Sequence, residues 1–471
     1  MITIVGLIVT FVVAPIGAAM CAGRLKYNNK DHLAIAVVCA MGMAPALIAI
    51  MLWWLFQVLP FQSDRFYLMA ISLTVAGTVG VEIATRNPAT MRAINLAWRK
   101  RKKSFDGVNV ILFLLAGLSA ALVLFQVFSF PMWMNDSQEY FLVAKHIYAN
   151  KTMEVYPVNQ STLFGLYANI THPPGYNMML VWGMLYAGDE STLPARVIAA
   201  FYFILTIALL WFTLSSHAPR ARMFSILCLI GAPLYVSHVA GAHTDAQRVF
   251  LFLAALSFLP TIVKNPGLGS KVLLSLMVSA SIFSHSTGVL ALPFVLGAFF
   301  ALAEGPYRQK ITSSLQICVF STLVGGGQYI RNFLTFGKPI SDHEPLLDNP
   351  AFDYNFTLSV DRALETPANL IFNGLLGGFS YVQYHGFAFW LGMAGMVLMF
   401  AKYRKLPLRE QNPLHATFFF TLVGYHILTI ATASLGILLM IKNQRYNLTI
   451  LPLYAFFGGI FLEALYAKFQ R

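Results

Sequence analysis

The sequence predicts an all-α, polytopic membrane protein. Of its 471 residues, 58% are hydrophobic and only 11% are charged, which is more apolar surface than one soluble core can bury. The apolar residues also fall into runs close to the ~20 residues that a helix needs to cross the hydrocarbon layer. The net charge of +13 then indicates contact with anionic lipid rather than with nucleic acid, because membrane proteins keep Lys and Arg on the cytoplasmic side.

The apolar runs predict about 13 transmembrane helices. The first four are expected at 1–20, 33–59, 66–85 and 108–130, and the N-terminal run lacks the basic start of a cleaved signal peptide. The others are expected at 192–214, 223–240, 247–263, 271–284, 286–303, 311–330, 386–401, 415–440 and 448–467. The chain then divides into a three-span extension with a basic cytoplasmic segment (1–107), a transmembrane module (108–330) and a C-terminal part (331–471).

Basic residues set the predicted orientation, because Lys and Arg near span ends stay in the cytoplasm. The basic run at 99–103 places the start of the fourth span inside, so alternation places the N-terminus and the polar segment 131–191 outside. A second long external segment is expected at about 331–385. Loops of this length are usually functional or disordered, and each is expected to carry an interfacial helix, one from Glu139 onward and one within 371–384.

Cysteine and metal-ligand patterns predict neither a disulfide framework nor a metal site. The four cysteines, at positions 21, 39, 228 and 318, lie in or beside apolar segments without a CxxC spacing. His285 and the sequence Asp342-His343-Glu344 have the residue types of metal ligands, but no spacing supports them. We therefore expect no cofactor, and leave the need for a divalent ion in the reaction open.

The polar segment after the fourth span opens with the first candidate catalytic residues. Asp136, Glu139 and Tyr140 stand at i, i+3 and i+4, so on a helix they share one face. A partly shielded carboxylate here could act as a general base toward an acceptor hydroxyl. The alternative is a capping box, in which Asp136 and Glu139 satisfy the amides at the helix N-terminus.

Two further polar clusters are candidate parts of the site. His172 precedes Pro173-Pro174, and this rigid segment would hold the imidazole near a phosphate or a hydroxyl. His243, Asp245 and Arg248 lie in a short external connection between two spans, where polar residues are often functional. The alternatives are an ordinary loop turn for His172 and a hydrated turn with an Asp-Arg pair for the second cluster.

Three basic residues are expected on the external side of the membrane, although Lys and Arg near span ends are generally kept in the cytoplasm. Arg331 directly follows a span, and Lys442 and Arg445 lie between the last two spans. Arginine side chains at such positions suit bidentate capture of a phosphate. The alternative is an interfacial anchor formed with the neighbouring tyrosines.

These residues together carry a resemblance to a known superfamily. A basic run, one span, an external loop opening with Asp136-x-x-Glu139-Tyr140 and a later His172-Pro173-Pro174 resemble the C-type superfamily of polyprenyl-phosphate-sugar glycosyltransferases, over roughly 108–303. The pattern is most similar to the branch with protein O-mannosyltransferases and the lipid A aminoarabinose transferase. The resemblance implies that Asp136 is the catalytic base, that Glu139 supports it, and that the His-Pro-Pro element lies beside the donor phosphate.

The chain departs from the superfamily pattern in three respects. Three spans precede the usual first one, Ser137 stands where many members have a second acid, and no large soluble C-terminal domain follows. The second departure leaves the carboxylate assignment open, and the third argues against an oligosaccharyltransferase.

The predicted function is transfer of a monosaccharide from a polyprenyl phosphate to a lipid, glycan or protein acceptor, with inversion. Asp136 would take the acceptor proton, and Tyr140, His172, His243, Asp245, Arg248, Arg331, Lys442 and Arg445 would bind the donor phosphate or substrate. The alternatives are a transporter or flippase for a lipid-linked glycan, with ionisable groups near the bilayer midplane, and a non-catalytic membrane scaffold.

The sequence also favours one location for such an enzyme. Glycosylation sequons begin at Asn135, Asn150, Asn159, Asn169, Asn355 and Asn447, all in predicted external segments. A glycan on Asn135 would crowd Asp136. We therefore expect a bacterial inner membrane, with the site facing the periplasm.

Overall fold

The chain folds into an assembly of helices. A computed structural model describes residues 2–25, 27, 30–84, 107–132, 134–153, 172–263, 267–337, 386–407, 410–434 and 444–470. Within these ranges every regular element is a helix and none is a strand. The predicted all-α class is therefore confirmed for the described part of the chain.

The N-terminal helices precede the segment that carries Asp136. They are α1 (Ile2–Ile8), α2 (Ala14–Gly23), α3 (Lys30–Val58), α4 (Asp64–Ala84) and α5 (Gly107–Ser129). A π-helical turn, Val9–Val13, joins α1 to α2. Its Thr10 hydroxyl accepts a hydrogen bond from the Trp182 indole at 2.7 Å, so this turn is tied to a helix far along the chain.

The middle of the chain consists of shorter helices with tight connections. They are α6 (Asn135–Asn150), α7 (Gly175–Ala187), α8 (Leu193–Thr213), α9 (Pro219–Ile230), α10 (Pro233–Ala240), α11 (Asp245–Phe258), α12 (Leu268–Ser284), α13 (Ala291–Leu302), α14 (Tyr307–Gly325) and α15 (Gly327–Phe336). Two 3-10 turns, Leu259–Thr261 and Ser286–Leu290, interrupt this series. The C-terminal part holds α16 (Ala388–Tyr403), α17 (Pro413–Ser434), a 3-10 turn (Gln444–Ile450) and α18 (Leu451–Phe469).

Several helices have the length and composition of membrane spans. In the described ranges six stretches pass this test, namely Ile4–Gly23, Asp31–Val58, Asp64–Ile83, Gly107–Ser129, Leu193–Thr213 and Asn447–Phe469. A seventh is the pair α9 and α10 if taken as one span, although the two are bent by 69°. The structure thus supports a membrane protein with six or seven such helices, and the number of about 13 stays a prediction.

The outward faces of these helices are apolar. On α5, Leu114 is 62% exposed and Phe125 is 64% exposed, and most of this helix lies on the surface. Side chains of this kind are stable in lipid and costly in water. The exposed surface therefore agrees with a lipid environment for α5.

The interior is built around α11, whose residues are all buried. It packs against α3, α8 and α12, so it lies in the middle of the assembly. Close approach elsewhere depends on small residues, as in many membrane helix pairs. A Cβ at Gly395 of α16 would lie 2.1 Å from the Phe457 carbonyl oxygen of α18, so that pair requires glycine.

The described part of the expected external segment 131–191 includes two helices, one expected and one not. The helix expected from Glu139 onward is present as α6, beginning at Asn135. The second, α7, was not predicted, because its 13 residues are too few for a span. It is nearly all buried and packs against α3 and α6. The second predicted interfacial helix, within 371–384, and Asp342-His343-Glu344 lie outside the described residues.

Candidate functional site

The candidate site lies where four helix ends meet. Asp136 is in the first turn of α6, His172 precedes α7, Asp245 begins α11, and His285 follows α12. The turn from α10 to α11 is held in shape by two hydrogen bonds. The His243 amide donates to the His238 carbonyl at 2.9 Å, and the Tyr176 hydroxyl donates to the Ala242 carbonyl.

Ala242 shows that this turn is constrained. Its φ of +53° lies in the left-handed region, which is unfavourable for a residue with a Cβ. The hydrogen bond from Tyr176 of α7 stabilises the conformation. The consequence is that His243 is placed at a fixed position between α6 and α11.

Asp245 is the centre of the polar cluster. Its Oδ2 lies 2.8 Å from His243 Nδ1 and also contacts His238 Nδ1, while its Oδ1 contacts Arg248 Nη2. Arg248 reaches it because residues at i and i+3 share one face of α11. The side chains of Asp245 and Arg248 are both 0% exposed.

Charge balance keeps this buried carboxyl group ionised. Burial by itself would raise the pKa of Asp245, but Arg248, His243 and His238 together hold that pKa well below its ordinary value. Asp245 also lies at the N-terminus of α11, where the helix dipole favours an anion. A carboxylate only accepts hydrogen bonds, so His238 presents a protonated Nδ1 to it. The Asp245 amide donates to His243 Nδ1 at 3.3 Å.

Asp136 is the exposed end of this network. Its side chain is 35% exposed, whereas that of His243 is 1% exposed, and its Oδ2 lies 3.4 Å from His243 Nε2. The N-cap of α6 is Met134, in an extended conformation and without a side-chain cap. The N-cap position is therefore occupied by Met134, and Asp136 lies in the first turn of the helix.

Aromatic side chains hold the start of α6 against this turn. The ring of Tyr140 meets those of His243 and Tyr176 edge to face, with centroids 5.8 Å and 5.5 Å away. The Asn177 amide donates to the Tyr140 carbonyl at 2.8 Å. Tyr140 is only 3% exposed, so in this conformation it contacts neighbouring rings. Glu139 lies one turn from Asp136 on α6, with a partly exposed side chain.

His172 lies on a second face of the site, beside the break after α12. Its Nδ1 is 2.8 Å from the Ser286 hydroxyl, and its ring stacks on that of His285 at 4.0 Å. Burial, followed by the positive charge of Arg248, lowers the pKa of His172 to about 3. The imidazole is therefore neutral at physiological pH, and would bind a ligand through hydrogen bonds rather than charge.

Gly175 allows the close approach on which this arrangement depends. It begins α7, three residues after His172, and a Cβ at this position would lie 2.3 Å from the Phe283 carbonyl oxygen. A contact under 3.0 Å with backbone cannot be relieved by a side-chain rotation. Glycine at this position therefore sets the distance between His172 and the end of α12.

The remaining predicted site residues lie at different distances from the cluster. Arg331 on α15 donates from Nη2 to the Met153 carbonyl at 2.8 Å, which ties α15 to the segment after α6. Arg445 belongs to the 3-10 turn Gln444–Ile450, whose Thr449 hydroxyl is 3.4 Å from that of Thr287. Lys442 and the side chain of Arg445 lie outside the described part of the structure.

Sequence reasoning missed some residues that the site brings together. They are His238, Ser286, Tyr176 and Asn177. A usable signal was the polar sequence Ser284-His285-Ser286 between two apolar runs. No pattern in the sequence indicates Tyr176 or Asn177, because they act through partners on other helices.

The same cluster has the composition of a metal site. The potential ligand atoms of His238, His243 and Asp245 lie within 4.8 Å of one another. Arg248 contacts Asp245 Oδ1, so an ion held by these three side chains would lie beside a buried guanidinium.

The geometry describes a buried, fixed network that ends in one accessible carboxylate, Asp136, with a second polar face formed by His172, His285 and Ser286. No family model matches the chain, and neither the curated proteins nor the solved structures contain a significant match.

Proposed function

We propose that the chain is a membrane glycosyltransferase that moves a monosaccharide from a polyprenyl-phosphate donor to a lipid, glycan or protein acceptor. The reaction takes place at the periplasmic face of a bacterial inner membrane. The observation that carries the proposal is the position of Asp136. It is a partly exposed carboxylate in the first turn of the helix that follows the apolar α5, and a buried polar network lies behind it.

A general base must reach the substrate and must also be held in place. Asp136 meets the first condition through its exposure and the second through its position beside His243. It accepts the proton of the acceptor hydroxyl while the acceptor oxygen attacks the anomeric carbon. The bond from that carbon to the phosphate oxygen breaks, polyprenyl phosphate leaves, and the configuration at the anomeric carbon inverts.

The leaving phosphate requires hydrogen-bond donors and positive charge. His172 supplies a neutral donor at the second face of the site. Arg331, Lys442 and Arg445 supply the cations, while Glu139 supports Asp136. Arg248 acts indirectly, because its side chain is fully buried against Asp245.

A transporter or flippase for a lipid-linked glycan is the second candidate, and the bend between α9 and α10 favours it. Broken helices commonly line transport sites, and this pair is bent by 69°. The break itself consists of Gly231 and Ala232, which offer no ionisable group. The ionisable cluster begins at His238, at the other end of α10, so the glycosyltransferase accounts better for its position.

The test measures sugar transfer from a panel of polyprenyl-phosphate monosaccharides by the protein in lipid nanodiscs. We expect the wild type to release polyprenyl phosphate and Asp136→Asn to lose activity by about 10²- to 10⁴-fold, the usual contribution of a general base. Parallel reactions with EDTA show whether a divalent ion is needed.

Asp64→Asn is the matched control. Asp64 is also an acid in the first turn of a helix, and its side chain is 36% exposed, but it pairs with Lys151 at 2.9 Å. This variant should keep wild-type activity. Equal rates for Asp136→Asn and the wild type would refute the assignment of the base. Transport of a glycan lipid across vesicles without donor consumption would support the transporter instead.

A further inference from the structure

We propose that a groove between α12 and α14 binds an anionic phospholipid, with the phosphate at Lys271 and Arg308 and an acyl chain along the apolar part of the groove. This inference goes beyond the proposed function, because the groove begins at the end of α12 opposite to the candidate site. Lys271 and Ser284 are 13 residues apart on α12, or ~20 Å at ~1.5 Å per residue, and Ser284 directly precedes His285.

The first step of the argument is that the two helices run in the same direction. Lys271 Nζ donates to Gln316 Oε1 at 2.5 Å, and about two turns further along α12 the Ser279 hydroxyl donates to the Ser321 carbonyl at 3.2 Å. A Cβ at Gly325 would lie 2.4 Å from the Ser279 carbonyl oxygen, so the C-terminal parts of the helices are in backbone contact. Both N-termini therefore lie at one end of the pair, where the groove begins.

The end of the groove near these N-termini is polar and basic. It has a volume of about 350 Å³, and each helix contributes one basic residue to its lining, Lys271 and Arg308. Lys271 is half-buried and Arg308 is exposed. None of the described residues that line this end is Asp or Glu, and three others can donate hydrogen bonds, namely Gln309, Thr312 and Gln316. Two cations with several neutral donors are complementary to a phosphate group.

The other part of the groove is apolar and continuous with the first. It has a volume of about 480 Å³ and shares Lys271, Thr312 and Gln316 with the polar end. This volume lies within the ~300–1,000 Å³ that is usual for small-ligand sites. A free phosphate ion has no group to fill it, whereas an acyl chain does. The apolar lining on α14 consists of Leu315, Val319, Phe320 and Leu323.

The length of the groove matches one leaflet of a bilayer. Arg308 and Leu323 are 15 residues apart on α14, or ~22 Å at ~1.5 Å per residue. Half of a bilayer, with its headgroup region, is ~20–22 Å thick. The groove is therefore long enough for a headgroup and an acyl chain of one leaflet. In the orientation proposed for the chain this end of the helices is cytoplasmic, and basic pockets between membrane helices on that side bind anionic headgroups.

The experiment counts phospholipids bound to the protein by native mass spectrometry, after delipidation and titration with phosphatidylglycerol or phosphatidylcholine. The wild type should bind phosphatidylglycerol about 30-fold more tightly than phosphatidylcholine, or about fivefold for each of two basic residues. Lys271→Gln/Arg308→Gln should bind the two lipids about equally. Arg308→Gln alone, at an exposed position, should lower the preference about fivefold, and this variant decides if the double variant fails to fold.

Two further variants separate the groove from general surface charge and from a free anion. Lys402→Gln/Arg404→Gln removes the same charge from exposed positions at the end of α16, which packs against α18, and should keep the wild-type preference. Val319→Trp should weaken the binding of both lipids, because it fills the apolar part at a position that is 55% exposed. An excess of inorganic phosphate should not displace the lipid.

The proposal is overturned if Lys271→Gln/Arg308→Gln keeps the lipid preference, or if Lys402→Gln/Arg404→Gln loses it equally. Displacement of the lipid by inorganic phosphate, or unchanged lipid binding by Val319→Trp, would also overturn it. A wild type that is dimeric and binds neither lipid would instead assign the groove to a second copy of the chain. None of these measurements involves sugar transfer, so a failure here leaves the proposed function in place.

Discussion

Removing Arg248 should destabilise the protein far more than removing an arginine from a similar pair near the surface. The Asp245–Arg248 pair is fully buried on both sides. Arg248→Met would leave Asp245 as a buried charge without the guanidinium that pairs with it. Breaking a buried pair on one side costs about 3–5 kcal/mol, which corresponds to roughly 10²- to 10⁴-fold in the folding equilibrium.

Arg220 is the matched control for this prediction. It pairs with Glu463 at 3.2 Å, and the two side chains are 19% and 18% exposed, while its guanidinium also lies over the Tyr466 ring at 4.3 Å. Interactions with this much solvent contact contribute about 1 kcal/mol. Arg220→Met should therefore cost several-fold less free energy than Arg248→Met.

The assay is unfolding by SDS in mixed micelles, followed by tryptophan fluorescence. The double variant Asp245→Asn/Arg248→Met tests the cause, because it removes both charges and keeps an acceptor for His238. It should be more stable than Arg248→Met alone, with a coupling energy of about 2 kcal/mol or more. Equal destabilisation by Arg248→Met and Arg220→Met would refute the argument, as would a double variant no more stable than the single one.

Two other predictions follow from contacts around His172. Gly175→Ala should lower the transfer rate by at least about 10-fold, because its Cβ would lie 2.3 Å from the Phe283 carbonyl oxygen. Gly117→Ala is the control and should have no effect, because a Cβ at that position would have no atom within 4 Å. Burial holds the pKa of His172 at about 3, below its ordinary value of 6.5, so between these values the unfolded chain binds the extra proton. Stability contributed by neutral His172 is therefore lost as pH falls from 6.5. Thermal unfolding at pH 5 and pH 7.5 should show a smaller acid-induced loss in His172→Gln than in the wild type, and an equal loss would contradict this.

Local sequence patterns were sufficient to predict α6 but not α7. The helix expected from Glu139 onward is present as α6, which begins at Asn135, and apolar residues at helical spacing after Glu139 are the reason. The helix α7 was missed because its 13 residues are shorter than a span and its burial depends on α3 and α6.

The sequence by itself determined that the chain is helical and apolar enough for a membrane, and that its polar residues gather in a few short segments. These properties depend on composition and on local periodicity, and both can be read from each segment without the rest of the chain. Only the tertiary structure decided which polar residues meet. Asp136 and His243 are separated by 107 residues, and His172 and Ser286 by 114. Their distances depend on how α6, α7, α11 and α12 pack against one another, and packing depends on side chains from all of these helices at once. The burial of Asp245 and Arg248 follows from the same packing, because α11 becomes the central helix only when its neighbours surround it.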